Sequence, residues 1–377
     1  MKINLVHDWL VDFGGAEKVL ESLVEVFNPE KIYTLFYDKE NFADSPISQR
    51  EIVTTFLDKN FVKKRYRNFL PFFPFAIEQF DVDESDVLIS SSHCVAKGIM
   101  PKVGQIHICY CHTPLRYAWD QSYDYLKLLK LQRGIKSVLV KTVLHYLRIW
   151  DETSSKRVDY FISNSNFVKE RIKKFYKRES FTIYPPCDVE PLKEEIKKEE
   201  RFVFASRLVH YKRADLVIDV FNELKIPLKV IGDGPQYKEL KEKSHKNIEF
   251  LGHLKKEDLR REIATGRALI FPPVEDFGIL PVEAQSLGTP VIALKKGGSL
   301  ETVISPKEGN FENATGLFFE RQEKDSLTKT VKEFLIVEGK FKKESLIKNS
   351  QRFSKERFIR EISQFVKQKY EEKNSVC

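Results

Sequence analysis

The run Glu275-Asp276-Phe277-Gly278-Ile279-Leu280-Pro281-Val282-Glu283 carries the residue types best suited to chemistry in this chain. Pro281 suits a first helical position, Glu283 then falls in the first turn, where a carboxylate complements the helix dipole, and Gly288 stops the helix. The spacing therefore predicts a short helix whose unpaired N–H groups point back at Glu275 to Leu280 and form a ready anion site. Gly278 lets a phosphate or a sugar approach the backbone closely there. Glu275 and Glu283 bracket the site. Upstream, Ser206-Arg207-Leu208-Val209-His210-Tyr211-Lys212 follows a strand and opens a helix. Arg207 as a planar fork and Lys212 as a point charge can grip a diphosphate from two sides. Ile231-Gly232-Asp233-Gly234-Pro235 supplies a glycine turn at the next strand end.

These residues need elements to hold them. Ile3 to Asp8 reads as a buried strand, Gly14-Gly15 as a turn and Ala16 to Phe27 as a helix, the first unit of a doubly wound sheet. The full glycine fingerprint of a dinucleotide site is missing, but paired glycines before a helix still permit close ligand approach. Short apolar strands end at His93 and His112-Thr113, and carboxyl ends of parallel strands are where ligands collect. Beyond the charged stretch Glu194 to Glu200, strands at Phe202–Ala205, Leu228–Ile231, Ile248–Leu251, Ala268–Phe271, Val291–Leu294 and Gly316–Phe319 alternate with helical patterns. The expected fold class is α/β, with two Rossmann-like doubly wound parallel-sheet domains and a cleft between them. The expected boundaries are 1–187, 188–353 and a C-terminal helix, 354–377, packing back on the first domain.

The net charge of +8 calls for an anionic partner. No apolar run is long enough to span a bilayer, and the N-terminus leads into a strand pattern instead of a signal peptide, which points to the cytoplasm. The five cysteines are scattered and odd in number, as reduced thiols are. His107, Cys109 and Cys111 share one strand face, a consequence of period-two spacing on a buried strand, and Asp81-Val82-Asp83 reads as a turn and not as a metal-binding pair. Two stretches combine cations with aromatics: Lys59 to Phe75, with Lys63, Lys64, Arg65, Arg67, Phe69, Phe72 and Phe73, and Tyr125 to Trp150, with Leu128, Leu129, Lys130, Val138, Leu139 and Lys141. Cationic amphipathic helices of this kind suit either an anionic membrane interface or core packing with a solvated basic face. No nucleic-acid module accompanies the charge, so nucleic acid is not expected as a partner.

Taken in order, Gly14-Gly15, His112, Arg207 with Lys212, Gly232-Asp233-Gly234-Pro235, Glu275 with Glu283, and Gly297-Gly298 with Glu301 resemble the retaining nucleotide-sugar glycosyltransferases of family four, which have the GT-B fold. The resemblance covers nearly the whole chain. One departure is Ser206, where the family usually has Gly. More narrowly, His7-Asp8-Trp9-Leu10, Gly14-Gly15-Ala16-Glu17 and Tyr110 to Asp120 are similar to bacterial mannosyltransferases of O-antigen and capsule synthesis. The resemblance implies that Arg207 and Lys212, with the amides of Ile279 and Leu280, bind the donor diphosphate. It further implies that Glu283 binds the ribose, and that Glu275 and the amides of Phe277 and Gly278 hold sugar hydroxyls. Gly14 and Gly15 would lie by the donor, and His112 would contact the sugar near its reacting carbon. It implies GDP-mannose as donor, a lipid-linked glycan as acceptor and a peripheral place on the inner face of the plasma membrane. No cofactor and no metal are expected, because cations and a helix dipole already stabilise a leaving diphosphate. A UDP-sugar donor and a non-catalytic membrane-associated module remain alternatives. A glycoside hydrolase fits less well: it sets its two carboxylates across one bond, roughly 5 to 9.5 Å apart, and needs no phosphate grip.

Overall fold

The computed structural model describes residues 1–128, 131–192, 194 and 196–375. Leu129, Lys130 and Cys377 lie outside the described residues, as do the side chains of Tyr125 and Leu128. The chain divides into two compact units, Met1–Pro186 with Phe358–Cys377, and Cys187–Arg357.

In the first unit, seven parallel strands run β1 Ile3–His7, β2 Lys31–Thr34, β3 Glu51–Thr54, β4 Val87–Ser92, β5 Ile106–Cys111, β6 Tyr160–Ser163 and β7 Ser180–Thr182, in the spatial order β3-β2-β1-β4-β5-β6-β7. The central strands β1, β4 and β5 are buried along their whole length, as parallel strands covered on both faces must be. Leu5, Ile89, Ile108 and Tyr110 share one cluster with Leu20, Leu23 and Val24 of the helix Gly15–Phe27. Phe358, Ile362 and Val366 of the last helix, Lys355–Asn374, bury their stripe in the same cluster. Val6 and Leu88 face the opposite cluster, which holds Phe36, Phe73, Leu147 and Trp150.

In the second unit, six parallel strands run β8 Phe202–Ala205, β9 Leu228–Ile231, β10 Ile248–Gly252, β11 Leu269–Phe271, β12 Val291–Leu294 and β13 Gly316–Phe319, ordered β10-β9-β8-β11-β12-β13. In both sheets the strand order reverses once, between β1 and β4 and between β8 and β11, while every strand stays parallel. Crevices at the carboxyl ends of strands flanking such a reversal are where open α/β sheets bind ligands. Among the described residues, no helix is long and apolar enough to cross a membrane.

Two sequence expectations are corrected. The aromatics Phe69, Phe72 and Phe73 do not form one exposed face: Phe73 is buried in the second cluster of the first unit, Phe69 packs against it, and Phe72 is exposed. The stretch folds as short helical pieces, Asn60–Lys63, Tyr66–Phe72 and Phe73–Ile77, that change from α to 3-10 and back, so successive rings point different ways. Phe56, Phe61 and Phe75 are instead exposed beside Phe72 in sequence. Lys63 is also not a free surface cation, since its ammonium pairs with Asp58 at 3.2 Å and donates to the Tyr37 carbonyl at 2.9 Å.

Candidate active site

Arg207 follows β8, and Glu275 follows β11, so the reversal of strand order in the second sheet brings together the two motifs that lie far apart in sequence. The Lys212 ammonium and the Glu275 carboxylate form a direct ion pair, each side chain about one-fifth exposed (20% and 18%). Arg207 is exposed and its side chain has no partner among the described residues. The turn after β9 lies against this loop: Ser206 N–H donates to the Ile231 carbonyl and Leu208 N–H to that of Asp233. Gly232 is required there, because its φ is +128° and a Cβ would overlap the Ser206 carbonyl oxygen. Ser206 itself donates its hydroxyl to the Arg207 carbonyl at 2.9 Å, a local bond that glycine could not make.

The helix of the Glu275 loop spans Ile279–Ser286, two residues earlier than Pro281 suggested. Gly278, with φ +91°, is its N-cap, so Pro281 is the third helical residue and Glu283 sits in the second turn. Proline is tolerated there because the first four helical N–H groups have no intrahelical acceptor. The same count leaves the amides of Ile279 and Leu280 at the start of the helix, where the dipole favours an anion. Gly288, φ +71°, ends it. The Gly298 N–H donates to the Glu275 carbonyl at 2.9 Å, and Gln285 ties the helix to Thr302 and Asn349. Phe277 is buried and stacks edge-on against Phe353. Glu283 is half-buried on the exposed side of the helix.

In the first unit, His112 follows β5 and is nearly buried, with Nε2 2.8 Å from Ser91 Oγ. The other face of Ser91 Oγ is 3.1 Å from His7 Nδ1, and His7 Nε2 is 3.2 Å from Glu17 Oε1. Glu17 Oε2 in turn accepts the Gly14 N–H at 2.9 Å, so the glycine turn and His112 belong to one connected network. Gly14, at φ −147°, is extended and not left-handed; its helix begins at Gly15. Beside the network, buried Asp8 accepts the N–H groups of His93, Cys94, Val95 and Ala96 at 2.5 to 2.9 Å and pairs with His93 Nδ1 at 3.0 Å.

These contacts set the charges. Although burial opposes it, the Asp8 carboxyl is held well below the usual range by His93, His7 and the amides, and Asp8 in turn raises His93 against the same desolvation. Burial, with His93 and His7 nearby, pushes His112 well below its ordinary value and keeps it neutral at pH 7. The sequence reading gave His7, Asp8, Glu17 and Ser91 no role at the site. The signal that could have found them is a His-Asp pair ending the first strand of a doubly wound sheet.

Other sequence candidates are structural. Asp81 pairs with Lys102 at 3.4 Å and Asp83 with Lys31 at 2.7 Å. His107 bonds Ser90 Oγ at 2.9 Å and the Arg157 carbonyl at 3.1 Å within the sheet. Among the described residues, no group of three or more His, Cys, Asp or Glu is placed to hold a metal ion.

Residues 188–353 match the family described as glycosyl transferases group 1. The chain is 27% identical to an uncharacterized glycosyltransferase of Methanocaldococcus jannaschii over 57% of this chain and 60% of that protein. It is 25% identical to the alpha-1,3/1,6-mannosyltransferase ALG2 of Debaryomyces hansenii over 84% of this chain and 79% of that protein. It is also 31% identical to a GDP-mannose-dependent monoacylated alpha-(1-6)-phosphatidylinositol monomannoside mannosyltransferase of Corynebacterium glutamicum, over 34% of this chain and 36% of that one. Among solved structures, Anabaena HepE in complex with UDP superposes with a TM-score of 0.70 at 16% identity, covering 98% of this chain and all of that one. The fold is GT-B. The matched domain and the glycosyltransferase relatives mark the chain as a glycosyltransferase.

Proposed function

We propose that this chain is a retaining mannosyltransferase that moves mannose from GDP-mannose to a lipid-linked glycan in cell-surface polysaccharide synthesis of the O-antigen or capsule kind. The observation that carries this reading is the Lys212–Glu275 pair, which joins the loops after β8 and β11 where the strand order of the second sheet reverses, ahead of the helix Ile279–Ser286. A cation for diphosphate and a carboxylate for sugar hydroxyls sit in contact, as adjoining parts of one nucleotide sugar require.

In this reading Arg207, Lys212 and the amides of Ile279 and Leu280 hold the diphosphate. Glu283 accepts from the ribose, and Glu275 with the amides of Phe277 and Gly278 holds the sugar. The turns at Gly14-Gly15 and Gly232 to Gly234 border the donor, and His112 meets the sugar near its reacting carbon. The bond from that carbon to the diphosphate breaks while the acceptor oxygen bonds on the same face, and a donor phosphate oxygen takes the acceptor proton. Charge grows on the leaving diphosphate, where fixed cations and a helix N-terminus stabilise it without a metal.

The donor assignment is supported by the mannosyltransferase relatives. A UDP-sugar is the second reading, favoured by the structural neighbour that holds UDP. A place at the inner face of the plasma membrane is supported by the helix Ile135–Ser154. On it Ile135, Val138, Leu139, Tyr146 and Ile149 are exposed at helical spacing beside Lys136 and Lys141. An apolar stripe flanked by cations fits an anionic bilayer. Thermal unfolding in the presence of a panel of nucleotide sugars tests the donor: GDP-mannose should raise the midpoint most. A larger rise with a UDP-sugar would replace the donor, and no rise with any would refute donor binding.

A further inference from the structure

Register is what assembles the network in the first unit. In the parallel pairing His7 lies opposite Ser91 across β1 and β4, and Ser91 lies opposite Tyr110 across β4 and β5, two residues before His112. Two histidines therefore share one serine hydroxyl, at 3.1 and 2.8 Å. A hydroxyl has one proton to donate, so the two rings cannot hold their protons independently. Their tautomers are coupled, and the coupling runs on to Glu17, which is nearly buried.

We propose that Glu17, His7 and Ser91 form a positioning relay that keeps the His112 proton on Nε2 and leaves Nδ1 as an acceptor for a hydroxyl-bearing ligand. The proposal rests on the reading above, in which that ligand is the transferred sugar. Its direction follows from donors and acceptors. Glu17 is anionic and accepts at both oxygens, from Gly14 N–H and from His7 Nε2–H. With its Nε2 proton given to Glu17, a singly protonated His7 ring has a bare Nδ1, which takes the Ser91 hydroxyl proton. The Ser91 oxygen accepts in turn, and only His112 Nε2–H can supply it. His112 Nδ1 is left with its lone pair and has no hydrogen-bond partner among the described residues. The charged groups around the relay are Asp8, His93, Glu17 and Arg116. The Asp8–His93 pair sits beside it, with the His93 ring 6.0 Å from His7 and 6.3 Å from His112, and a cation there opposes a second one on either ring.

Glu17→Gln reverses the direction without removing a contact. The Gly14 N–H still needs an acceptor, so the amide oxygen turns to it and the amide NH2 faces His7 Nε2. His7 must then accept at Nε2 and donate from Nδ1 to Ser91. The Ser91 hydroxyl turns to His112 Nε2, and the His112 proton moves to Nδ1. The experiment is 15N imidazole NMR of selectively labelled full-length protein at pH 8, alongside kcat and KM for the nucleotide sugar that the thermal panel selects. The expected wild-type signal is the Nε2–H form of His112 and the expected E17Q signal is the Nδ1–H form. The E17Q kcat should be about tenfold lower at little-changed KM, the rate equivalent of one misdirected hydrogen bond. Ser91→Ala should uncouple the ends, so that S91A and S91A/E17Q give the same His112 signals. A His112 proton that stays on Nε2 in E17Q, or that still responds to Glu17 without Ser91, overturns the relay. A switched tautomer with unchanged kcat keeps the relay and overturns the placement of His112 at the sugar.

Discussion

Cutting the Lys212–Glu275 pair from either side should move nucleotide affinity in opposite directions. Lys212→Ala removes a charge-assisted bond to the diphosphate, worth about 1.5–3 kcal/mol, or roughly 10- to 150-fold in Kd. It also leaves the Glu275 carboxylate next to an anion, which adds to the loss. Glu275→Gln removes the partner that Lys212 must share when a diphosphate arrives. Both side chains are about one-fifth exposed, so water screens the pair and its worth is at the upper end of surface pairs, about 1 kcal/mol. Nucleoside diphosphate should therefore bind E275Q about fivefold more tightly than wild type. Transfer should nevertheless fall, because the sugar loses its carboxylate. Isothermal titration of GDP and UDP against wild type, K212A and E275Q reads the signs directly. If E275Q weakens the diphosphate as much as K212A does, Lys212 is held by Glu275 for structure and the assignment of that cation to the diphosphate is wrong.

Arg207→Ala, at an exposed cation without a partner among the described residues, should weaken the same ligands about 10-fold or more in that titration while leaving the unfolding midpoint unchanged. Activity should persist in excess chelator, since the positive charge at the diphosphate is covalently built in; complete loss restored by manganese or magnesium would refute this. Stability should fall as pH drops from 6.5, because burial holds His107 down to about 4. The unfolded chain takes up a proton below about 6.5 that the folded chain refuses, a slope of about 1.4 kcal/mol per pH unit that ends near the folded value. Urea titrations of His107→Gln at pH 6 and pH 5 should show that slope reduced. Reversing the exposed cations Lys64, Arg65 and Arg67 to Glu, with Val138→Asp and Leu139→Asp, should weaken sedimentation with anionic vesicles and spare GDP binding. Equal sedimentation would make these surfaces solvated packing faces.

The second unit was the more legible half, because its strands are unbroken runs such as Phe202–Ala205 and Val291–Leu294, which only a doubly covered sheet explains. β2 and β3 were not anticipated: Lys-Ile-Tyr-Thr and Glu-Ile-Val-Thr are four residues each and begin with a charge, as edge-side strands do. The start of the Glu275 helix was misplaced because proline marks a helix N-terminus at several positions, whereas the +91° φ of Gly278 fixes one. Charge and aromatic content in Lys59 to Phe75 could not say which ring turns inward, since short helical pieces of changing type carry no steady period. The His7–Ser91–His112 contacts are set by strand register between segments 84 and 21 residues apart, which local pattern does not encode.

The proposed activity is sugar transfer from a nucleotide sugar with retention. The direct test incubates purified protein with GDP-mannose and a lipid-linked glycan acceptor, follows release of the nucleoside diphosphate, and determines the anomeric configuration of the product by NMR. The expected result is release that depends on the acceptor and an α-linked mannose. A β-linked product would contradict retention, and no release from GDP-mannose or from any UDP-sugar in the panel would contradict the activity itself.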